Sequence, residues 1–327
     1  MDPSKLIVRP YIIADIGSNW CSFDSAEQNL NYAIKHIEEA ARCQVDAVKF
    51  QYYTHKCLYG FDGKMPAELP VEWLPALAQC AADNEVAFMC TPFSQEGVRR
   101  VDPFVHMHKL ASAENMHLGI IAEMVATKKT IIVSMGATTS YEFKRMAEKV
   151  YLPSSQFLFL ECVASYPAEE EDYNLPALEE LGWHGISDHT IGSNVALQAC
   201  AVGAFIFEKH FRLHDASEKC PDYRHSATPF LMGEYVRAIR QARGMRAYSE
   251  KVIRQSELPM VEKYNRRLKC VKAIKKGQEL KYNENYGIYR SKETDFKAAS
   301  PWDWASFDGK IAKRDIQVGE GIHTELV

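Results

Sequence analysis

Short apolar or β-branched runs alternate with longer segments of helical periodicity through the first 250 or so residues of the chain. This alternation restricts the fold more than any other feature. The apolar runs predict eight strands, at residues 11–16, 47–50, 86–89, 107–110, 130–133, 157–161, 185–187 and 205–209. The helical segments are at 25–43, 72–84, 95–101, 117–128, 140–150, 176–181, 193–202 and 229–248. Eight successive strand–helix units favour an α/β fold of the (β/α)8, or TIM, barrel type.

The alternative is a doubly wound parallel sheet, which usually has fewer strands and a glycine-rich first turn. The first turn here reads Ile16-Gly17-Ser18-Asn19-Trp20 and lacks the GxGxxG spacing. We therefore favour the barrel.

The chain changes character after the last helical segment. Residues 1–248 are predicted to form the barrel, the polar stretch 249–263 a linker, and residues 264–327 a small β-rich domain of short strands and turns. The tail contains a weak internal repeat, 273–278 against 315–320, and each copy has a glycine suited to a tight turn. The tail has 13 Lys and Arg against 9 Asp and Glu, a net charge of +4, whereas the preceding residues carry −8.

Composition excludes several classes of protein. The 327 residues are 46% apolar and 25% charged, which is typical of a globular protein. The most apolar window, 195–207, is shorter than the roughly 20 residues that span a bilayer, so we expect no membrane segment. The net charge of −4 argues against a dedicated nucleic-acid binder. Nine cysteines without CxxC pairing indicate a reducing cytoplasm rather than a disulfide framework or a zinc site.

Polar residues follow nearly every predicted strand, at the end of a barrel where catalytic groups lie. One such residue would usually be a solvated or capping group, but a set contributed by eight strands predicts an active site. The residues are Asp15, Lys49, Gln51, Thr91, Lys109, Ser112, Glu114, Ser134, Tyr166, Ser187, Asp188, His189, Glu208, Lys209 and His210.

These residues can be sorted by their chemistry. The two lysines at 49 and 109, with the nearby hydroxyls, suit a phosphate or carboxylate group. His189 and His210 end neighbouring strands and could hold a divalent metal, although a histidine in such a place is often only a hydrogen-bonding group. Asp15 and Glu114 are candidates for the base and the substrate-hydroxyl acceptor. Strand six has no lysine, so the usual Schiff-base position of an aldolase is missing.

Several motifs together resemble the sialic acid (nonulosonic acid) synthases, and the resemblance covers almost the whole chain. The tail resembles the antifreeze-like (SAF) domain of that family. The matching segments are ADIGSN at 14–19, DAVKFQ at 46–51, CTPF at 90–93, KLASAE at 109–114, SMG at 134–136, CVASYP at 162–167, SDHT at 187–190, EKHF at 208–211 and PD at 221–222.

The resemblance implies a transferase that condenses phosphoenolpyruvate with an N-acyl-mannosamine-type amino sugar. His189 and His210 would hold the metal, for which Mn²⁺ is expected before Mg²⁺ or Co²⁺. Asp15, Glu114 and Tyr166 would be the catalytic side chains, and Glu114 and Tyr166 would also contact the acceptor sugar together with Gln51, Asp222 and Arg290. The residues that would bind phosphoenolpyruvate are Lys49, Thr91, Lys109, Ser112, Ser134 and Ser187.

The family pattern also implies a domain-swapped homodimer, in which Arg290 from one tail reaches the barrel of the other subunit. In the implied reaction, the metal polarises the sugar aldehyde, C3 of phosphoenolpyruvate attacks it, and water added at C2 leads to expulsion of phosphate. Asp15 would position the metal or deprotonate that water.

The sequence departs from the family at a few positions. Asp15 replaces the usual Glu, 19–21 (Asn-Trp-Cys) replaces an NHNG-like loop, Ala164 replaces Asn or Ser, Cys220 replaces Gly, and Tyr223 replaces His. We hypothesise that the phosphoenolpyruvate chemistry is kept while the acceptor is a diamino sugar of the legionaminic or pseudaminic type. The alternatives are an inactive paralogue that binds anionic sugars and a metal-dependent barrel aldolase.

Overall fold

The computed structural model describes residues 9–148, 156–245, 251–290 and 297–327. The chain divides into two compact units, Met1–Ser249 and Glu250–Val327, and each is described by itself. The domain boundaries expected at 248 and 264 remain a prediction, and residues 249 and 250 of the expected linker lie outside the described residues.

Eight parallel strands form one sheet in the first unit. Their order is β3-β2-β1-β8-β7-β6-β5-β4, and the two end strands β3 and β4 lie side by side, so the sheet curves into a nearly closed barrel. The predicted TIM-barrel fold is thus confirmed. The strands are β1 (Tyr11–Gly17), β2 (Ala47–Tyr52), β3 (Ala87–Pro92), β4 (Met107–Leu110), β5 (Thr130–Ser134), β6 (Phe157–Cys162), β7 (Gly185–Asp188) and β8 (Ile206–His210).

Helices follow the strands and cover the outside of the sheet. Ser25 caps the first helix by accepting a hydrogen bond from the Gln28 N–H, and Thr139 with Glu142 forms a capping box at α6. The helices are α1 (Ala26–Arg42), α2 (His55–Tyr59), α3 (Leu74–Asp83), α4 (Gln95–Val101), α5 (Leu118–Ala126), α6 (Ser140–Met146), α7 (Pro176–Glu180), α8 (Asn194–Ala201) and α9 (Pro229–Met245). The ends of two predicted helices, at 149–150 and 246–248, lie outside the described residues.

Successive side chains of a strand point to opposite faces, and here one face points into the barrel. An apolar layer fills the interior and consists of Ile13, Ala47, Met89, Ile132, Leu160 and Ile206. Near its C-terminal end, each of the eight strands contributes one further inward-pointing residue. All of these residues except Cys162 are polar. We call these residues the polar layer: Asp15, Lys49, Thr91, Lys109, Ser134, Cys162, Ser187 and Glu208.

The second unit has its own small core around a two-stranded antiparallel sheet. Helix α10 (Leu258–Tyr264) lies in the expected linker except for its last residue, and its second residue is a proline, which suits a first helical turn. It is followed by β9 (Arg266–Cys270), β10 (Tyr286–Arg290) and α11 (Trp304–Phe307).

The predicted internal repeat of the tail is visible in this unit. Ile274 and Ile316, one from each copy, pair with each other through two backbone hydrogen bonds of 3.0 and 2.8 Å. Gly277 and Gly319 both have positive φ, which confirms their place in tight turns. Across the described residues, none of the helices combines the length and the apolar character that crossing a membrane requires.

Candidate active site

Two lysines and two carboxylates form a charge-balanced network in the polar layer, and all four side chains are almost fully buried. Lys49 Nζ donates to Asp15 Oδ2 at 2.8 Å and to Thr91 Oγ1 at 3.4 Å, and lies 3.8 Å from Glu208 Oε2. Lys109 Nζ donates to Ser134 Oγ at 2.7 Å and lies 3.6 Å from Glu208 Oε1. Glu208 therefore lies between the two cations.

Burial and the neighbouring charges shift the pKa values of Asp15, Lys49 and Lys109. Burial alone would raise the pKa of Asp15, but Lys49 and His210 outweigh it and hold this pKa below its ordinary value. Burial alone would lower the pKa of Lys49, but Asp15 and Glu208 outweigh it and raise this pKa. Burial lowers the pKa of Lys109, and the charge of Glu208 opposes this only in part.

Hydroxyl groups surround the two lysines. Ser187 Oγ donates to Glu208 Oε1 at 2.8 Å. Ser112 Oγ lies on the turn after β4, accepts from the Gly136 N–H at 3.0 Å and contacts Cys162 Sγ at 3.5 Å. The predicted phosphoenolpyruvate residues are thus distributed around one end of the barrel. Because cations and O–H donors suit phosphate and carboxylate oxygens, these side chains could hold an anion.

Three histidine rings meet beside this network, beneath Tyr166. The ring of Tyr166, which is 54% exposed, lies 4.3 Å from that of His189 and 4.9 Å from that of His225. The rings of His210 and His225 are 4.6 Å apart and perpendicular, and those of His189 and His210 are 5.6 Å apart. His210 Nδ1 also lies 3.5 Å from Asp15 Oδ2. The imidazoles are therefore adjacent to the anion-binding residues.

The histidines fit the requirements of a metal site. Val163 O lies 2.7 Å from His189 Nδ1, which leaves Nε2 of that ring as the ligand atom if Nδ1 carries the proton. Burial, and to a lesser extent His210, lowers the pKa of both His189 and His225 to about 4. Both rings are therefore neutral near pH 7, the form that binds a metal.

Sequence reasoning missed His225, and it included Glu208 among the strand-end residues without giving it a role. Glu208 belongs to the EKHF motif and points inward, so the strand alternation could have separated it from Lys209. His225 lies in the loop after β8, three residues beyond Asp222, and the Asp-x-x-His spacing was its only signal in the sequence.

The polar residues at 188 and 209, expected at the barrel mouth, point the other way. Lys209 Nζ donates to Asp188 Oδ2 at 3.0 Å and lies 5.1 Å from the ring centre of Tyr235 on α9. Each is next in sequence to an inward-pointing residue, so alternation turns it towards the surrounding helices. This pair is buried behind the sheet and does not belong to the site.

The remaining predicted residues lie on the rim or in the other unit. Gln51 is half-buried at the end of β2, and Glu114 lies in the turn after β4, where burial raises its pKa. Arg290 ends β10 of the second unit, is exposed, and stacks over the Tyr264 ring at 4.6 Å.

The altered loop at 19–21 is buried and packed. Asn19 Nδ2 donates to Phe211 O at 3.0 Å and to Ser226 Oγ at 2.8 Å. The Trp20 ring packs edge-on against Trp73 at 5.3 Å, and Cys220 Sγ donates to Cys21 O at 3.2 Å. These departures from the family pattern therefore join the loop after β1 to the loop after β8.

The fold and this arrangement at the strand ends define a TIM barrel in which residues that could hold an anion and residues that could hold a metal lie side by side. The NeuB family model matches residues 36–251, and the chain belongs to that family. The predicted family, and with it the prediction of an enzyme, is confirmed.

Curated relatives and a solved structure agree with this assignment. The chain is 29% identical to a pseudaminic acid synthase of Helicobacter pylori, over 84% of this chain and 86% of that protein. It is 29% identical to an N,N'-diacetyllegionaminic acid synthase of Campylobacter jejuni, over 82% and 86%. The crystal structure of an N-acetylneuraminic acid (sialic acid) synthetase from Leptospira borgpetersenii is similar with a TM-score of 0.70 and 27% identity, covering 78% of this chain and 91% of that chain.

Proposed function

We propose that the chain condenses phosphoenolpyruvate with the open-chain aldehyde of an amino sugar, in a metal-dependent reaction that yields a nonulosonic acid and phosphate. The observation that carries the proposal is the buried layer of Lys49 and Lys109 with surrounding hydroxyls, directly beside a cluster of histidines. A dianion and a polarisable aldehyde oxygen need these two environments next to each other.

The lysines would bind the phosphate and carboxylate groups of phosphoenolpyruvate. In the free protein their charges are balanced by Asp15 and Glu208. An incoming anion would compete with these carboxylates for the ammonium protons, while Thr91, Ser134 and Ser187 turn their O–H groups towards it. The charge balance explains how two lysines can remain buried before the substrate arrives.

A divalent metal, with Mn²⁺ preferred over Mg²⁺ or Co²⁺, would be held by the histidine cluster that includes His189 and His210, and would supply Lewis-acid polarisation of the aldehyde oxygen. The new bond joins C3 of phosphoenolpyruvate to the aldehyde carbon, and the aldehyde oxygen gains a proton. Water adds at C2, and the tetrahedral carbon then releases phosphate. Asp15 is ionised and lies among these groups, so it can accept the proton that the water loses.

Glu114 and Tyr166 are suited to the acceptor side of the reaction. Burial raises the pKa of Glu114, which helps a carboxyl group to donate a proton. Tyr166 covers two of the histidine rings and is half exposed, so its ring can contact a sugar that enters the mouth. With Gln51, these residues would orient the acceptor.

The acceptor is proposed to be a diamino-trideoxy sugar, as for pseudaminic or legionaminic acid, rather than plain N-acetylmannosamine. Two relatives with the corresponding names are each 29% identical to this chain. Most positions that depart from the family pattern lie in loops, at 19–21, 164 and 220–223. In the polar layer Asp15 departs from the pattern, whereas the lysines and hydroxyls are kept. Changes concentrated in the loops, with the anion-binding residues kept, favour a change of acceptor.

We also propose that the chain forms a domain-swapped homodimer. In this dimer the second unit would be an antiparallel SAF-type cap that covers the barrel of the partner subunit. Its net positive charge and the exposed Arg290 suit an anionic substrate. To test this, Arg290→Ala and His189→Ala chains, each inactive, are mixed after unfolding and refolding together. Recovery to about one quarter of wild-type activity supports the swap, and no recovery contradicts it.

The nine free thiols are consistent with a cytoplasmic location.

The decisive test of the function is phosphate release. The protein is incubated with Mn²⁺, phosphoenolpyruvate and a panel of N-acyl and diamino sugars, and products are identified by mass spectrometry. We expect phosphate and a 2-keto-3-deoxy acid with a diamino sugar, and their loss in His210→Ala but not in the exposed His106→Ala control. No phosphate with any acceptor would contradict the proposal and favour the inactive paralogue.

A further inference from the structure

His210, Asp222 and His225 form a compact cluster of metal-ligating side chains, which we call the D-H-H cluster. Their ligand atoms all lie within 4.8 Å of one another. Asp222 Oδ1 is 3.7 Å from His225 Nε2, and the two histidine rings are 4.6 Å apart. Among the described residues, these three are the group of His, Cys, Asp or Glu side chains whose ligand atoms lie this close together. His189 lies beside the group and is not one of its three members.

Two ring nitrogens of this cluster are buried without a hydrogen bond. They are His210 Nδ1 and His225 Nε2, and both histidines are at most 5% exposed. A buried polar atom without a partner is costly, because it has lost its hydrogen bonds to water and gained none in the protein. His225 Nε2 lies 3.7 Å from Asp222 Oδ1, and His210 Nδ1 lies 3.5 Å from Asp15 Oδ2. Two unpaired ring nitrogens, each beside a carboxylate, indicate that the cluster is completed by a cation.

Asp222 is held in an orientation that faces the cluster. Its Oδ2 accepts hydrogen bonds from the Ser18 N–H and the Ser18 Oγ–H, both at 2.7 Å. This approach needs a glycine at position 17, because a Cβ there would lie 2.3 Å from Asp222 Oδ2. The other oxygen, Oδ1, is left on the side of His225. The Asp222 carboxylate is therefore held with one oxygen facing the cluster.

The loop that carries Asp222 and His225 is fastened to the end of β8. The Ala227 N–H donates to His210 O at 2.8 Å, and the Arg212 N–H donates to Ala227 O at 3.0 Å. Asp222 and His225 are three residues apart in one turn, so their side chains lie on the same side. The backbone thus presents both side chains to His210 before any ligand binds.

We propose that Asp222 and His225 are protein ligands of the catalytic metal in addition to His189 and His210. This inference rests on the metal dependence proposed above and replaces the sugar-binding role predicted for Asp222. Imidazole ligands suit first-row transition ions, whereas Mg²⁺ prefers oxygen ligands. The D-H-H cluster should therefore select Mn²⁺, Fe²⁺ or Co²⁺ over Mg²⁺.

The experiment measures metal binding directly, without substrate. The metal-free full-length protein is titrated with Mn²⁺, and free Mn²⁺ is followed by its electron paramagnetic resonance signal. We expect His225→Ala, His225→Gln and Asp222→Asn to raise the Kd at least about tenfold, since loss of even a supporting residue of a metal site costs 10–100-fold. The exposed His106→Ala control should bind as the wild type does. A large excess of Mg²⁺ should displace little Mn²⁺.

His225→Gln guards against a folding defect, because the amide is of similar size, and its thermal unfolding is compared with that of the wild type in the absence of metal. An unchanged Kd in a folded His225→Gln protein would overturn the proposal, as would ready displacement of Mn²⁺ by Mg²⁺. The phosphate-release assay separates the two proposals. Metal binding that depends on His225 without turnover contradicts the function alone, whereas turnover with His225-independent binding contradicts the ligand assignment alone.

Discussion

Strands β7 and β8 are joined by two buried polar pairs, one on each face of the sheet. On the inner face Ser187 Oγ donates to Glu208 at 2.8 Å, and on the outer face Lys209 Nζ donates to Asp188 at 3.0 Å. The four residues come from two adjacent dipeptides and are buried to a similar degree. A strand-end position alone therefore does not separate a binding group from a structural one.

The difference lies in what surrounds each pair. Glu208 lies between the two lysines of the polar layer, and its Oε2 makes no hydrogen bond. Lys209 has its donors satisfied by Asp188 and by Thr190 O at 2.8 Å, and it stacks on Tyr235. The inner pair can therefore form a further hydrogen bond through Glu208 Oε2, whereas helix α9 covers the outer pair.

The sharpest contrast is expected between Lys49→Met and Lys209→Met. Each leaves a buried carboxylate without its cation and should lower the free energy of unfolding by about 3–5 kcal/mol. Only Lys49→Met should also lose phosphoenolpyruvate turnover, by at least about 10³-fold, because an anion-binding ammonium is missing.

Urea unfolding and phosphate release measure the two effects separately, at a temperature where both variants are folded. Equal losses of turnover in the two variants would remove the distinction between the faces. Full activity in Lys49→Met would remove Lys49 from the substrate site.

The same contrast shows what the sequence could predict. Lys49, Lys109 and Ser134 were identified because barrel strands end at the active site and their alternation places these side chains inside. Lys209 and Asp188 were placed at the mouth because alternation was not followed through the last residues of the strands. His225 lies in a loop, where no period relates a residue to its direction, and its approach to His210 depends on tertiary bonds from Asn19 and Ala227.

A second test uses Glu161, which precedes the inward-pointing Cys162 and is buried on the outer face of β6. Burial raises its pKa to about 7, although the Asn174 N–H bond opposes this in part. A carboxyl whose folded pKa is raised contributes stability at low pH and loses it as the pH rises through that pKa. Relative to the wild type, Glu161→Gln should therefore gain stability between about pH 4.5 and pH 7.

We expect that gain to be about 2 kcal/mol, less than the full pKa displacement would give because solvent reaches part of the site. Above pH 7 the difference should stay constant, and phosphate release should be unaffected. Urea unfolding of both proteins at pH 5 and pH 8 measures the difference in their free energies of unfolding. A stability difference that does not change with pH would show that Glu161 ionises normally, and a large loss of turnover would place it with the inner-face residues.

The smallest change is expected from Glu208→Gln, and it tests the inner pair through pH. Burial lowers the pKa of Lys109 and the charge of Glu208 opposes this, so removing the charge should lower the pKa of Lys109 further. Lys109 would then lose its proton at a lower pH, and the alkaline limb of kcat/KM for phosphoenolpyruvate should move to lower pH. Glutamine keeps an acceptor for Ser187, so the shape of the site is largely preserved.

The matched outer-face variant, Asp188→Asn, should leave the alkaline limb in place. If both variants move it equally, the effect is one of general destabilisation, and the charge of Glu208 has no specific influence on the lysine that would bind the substrate.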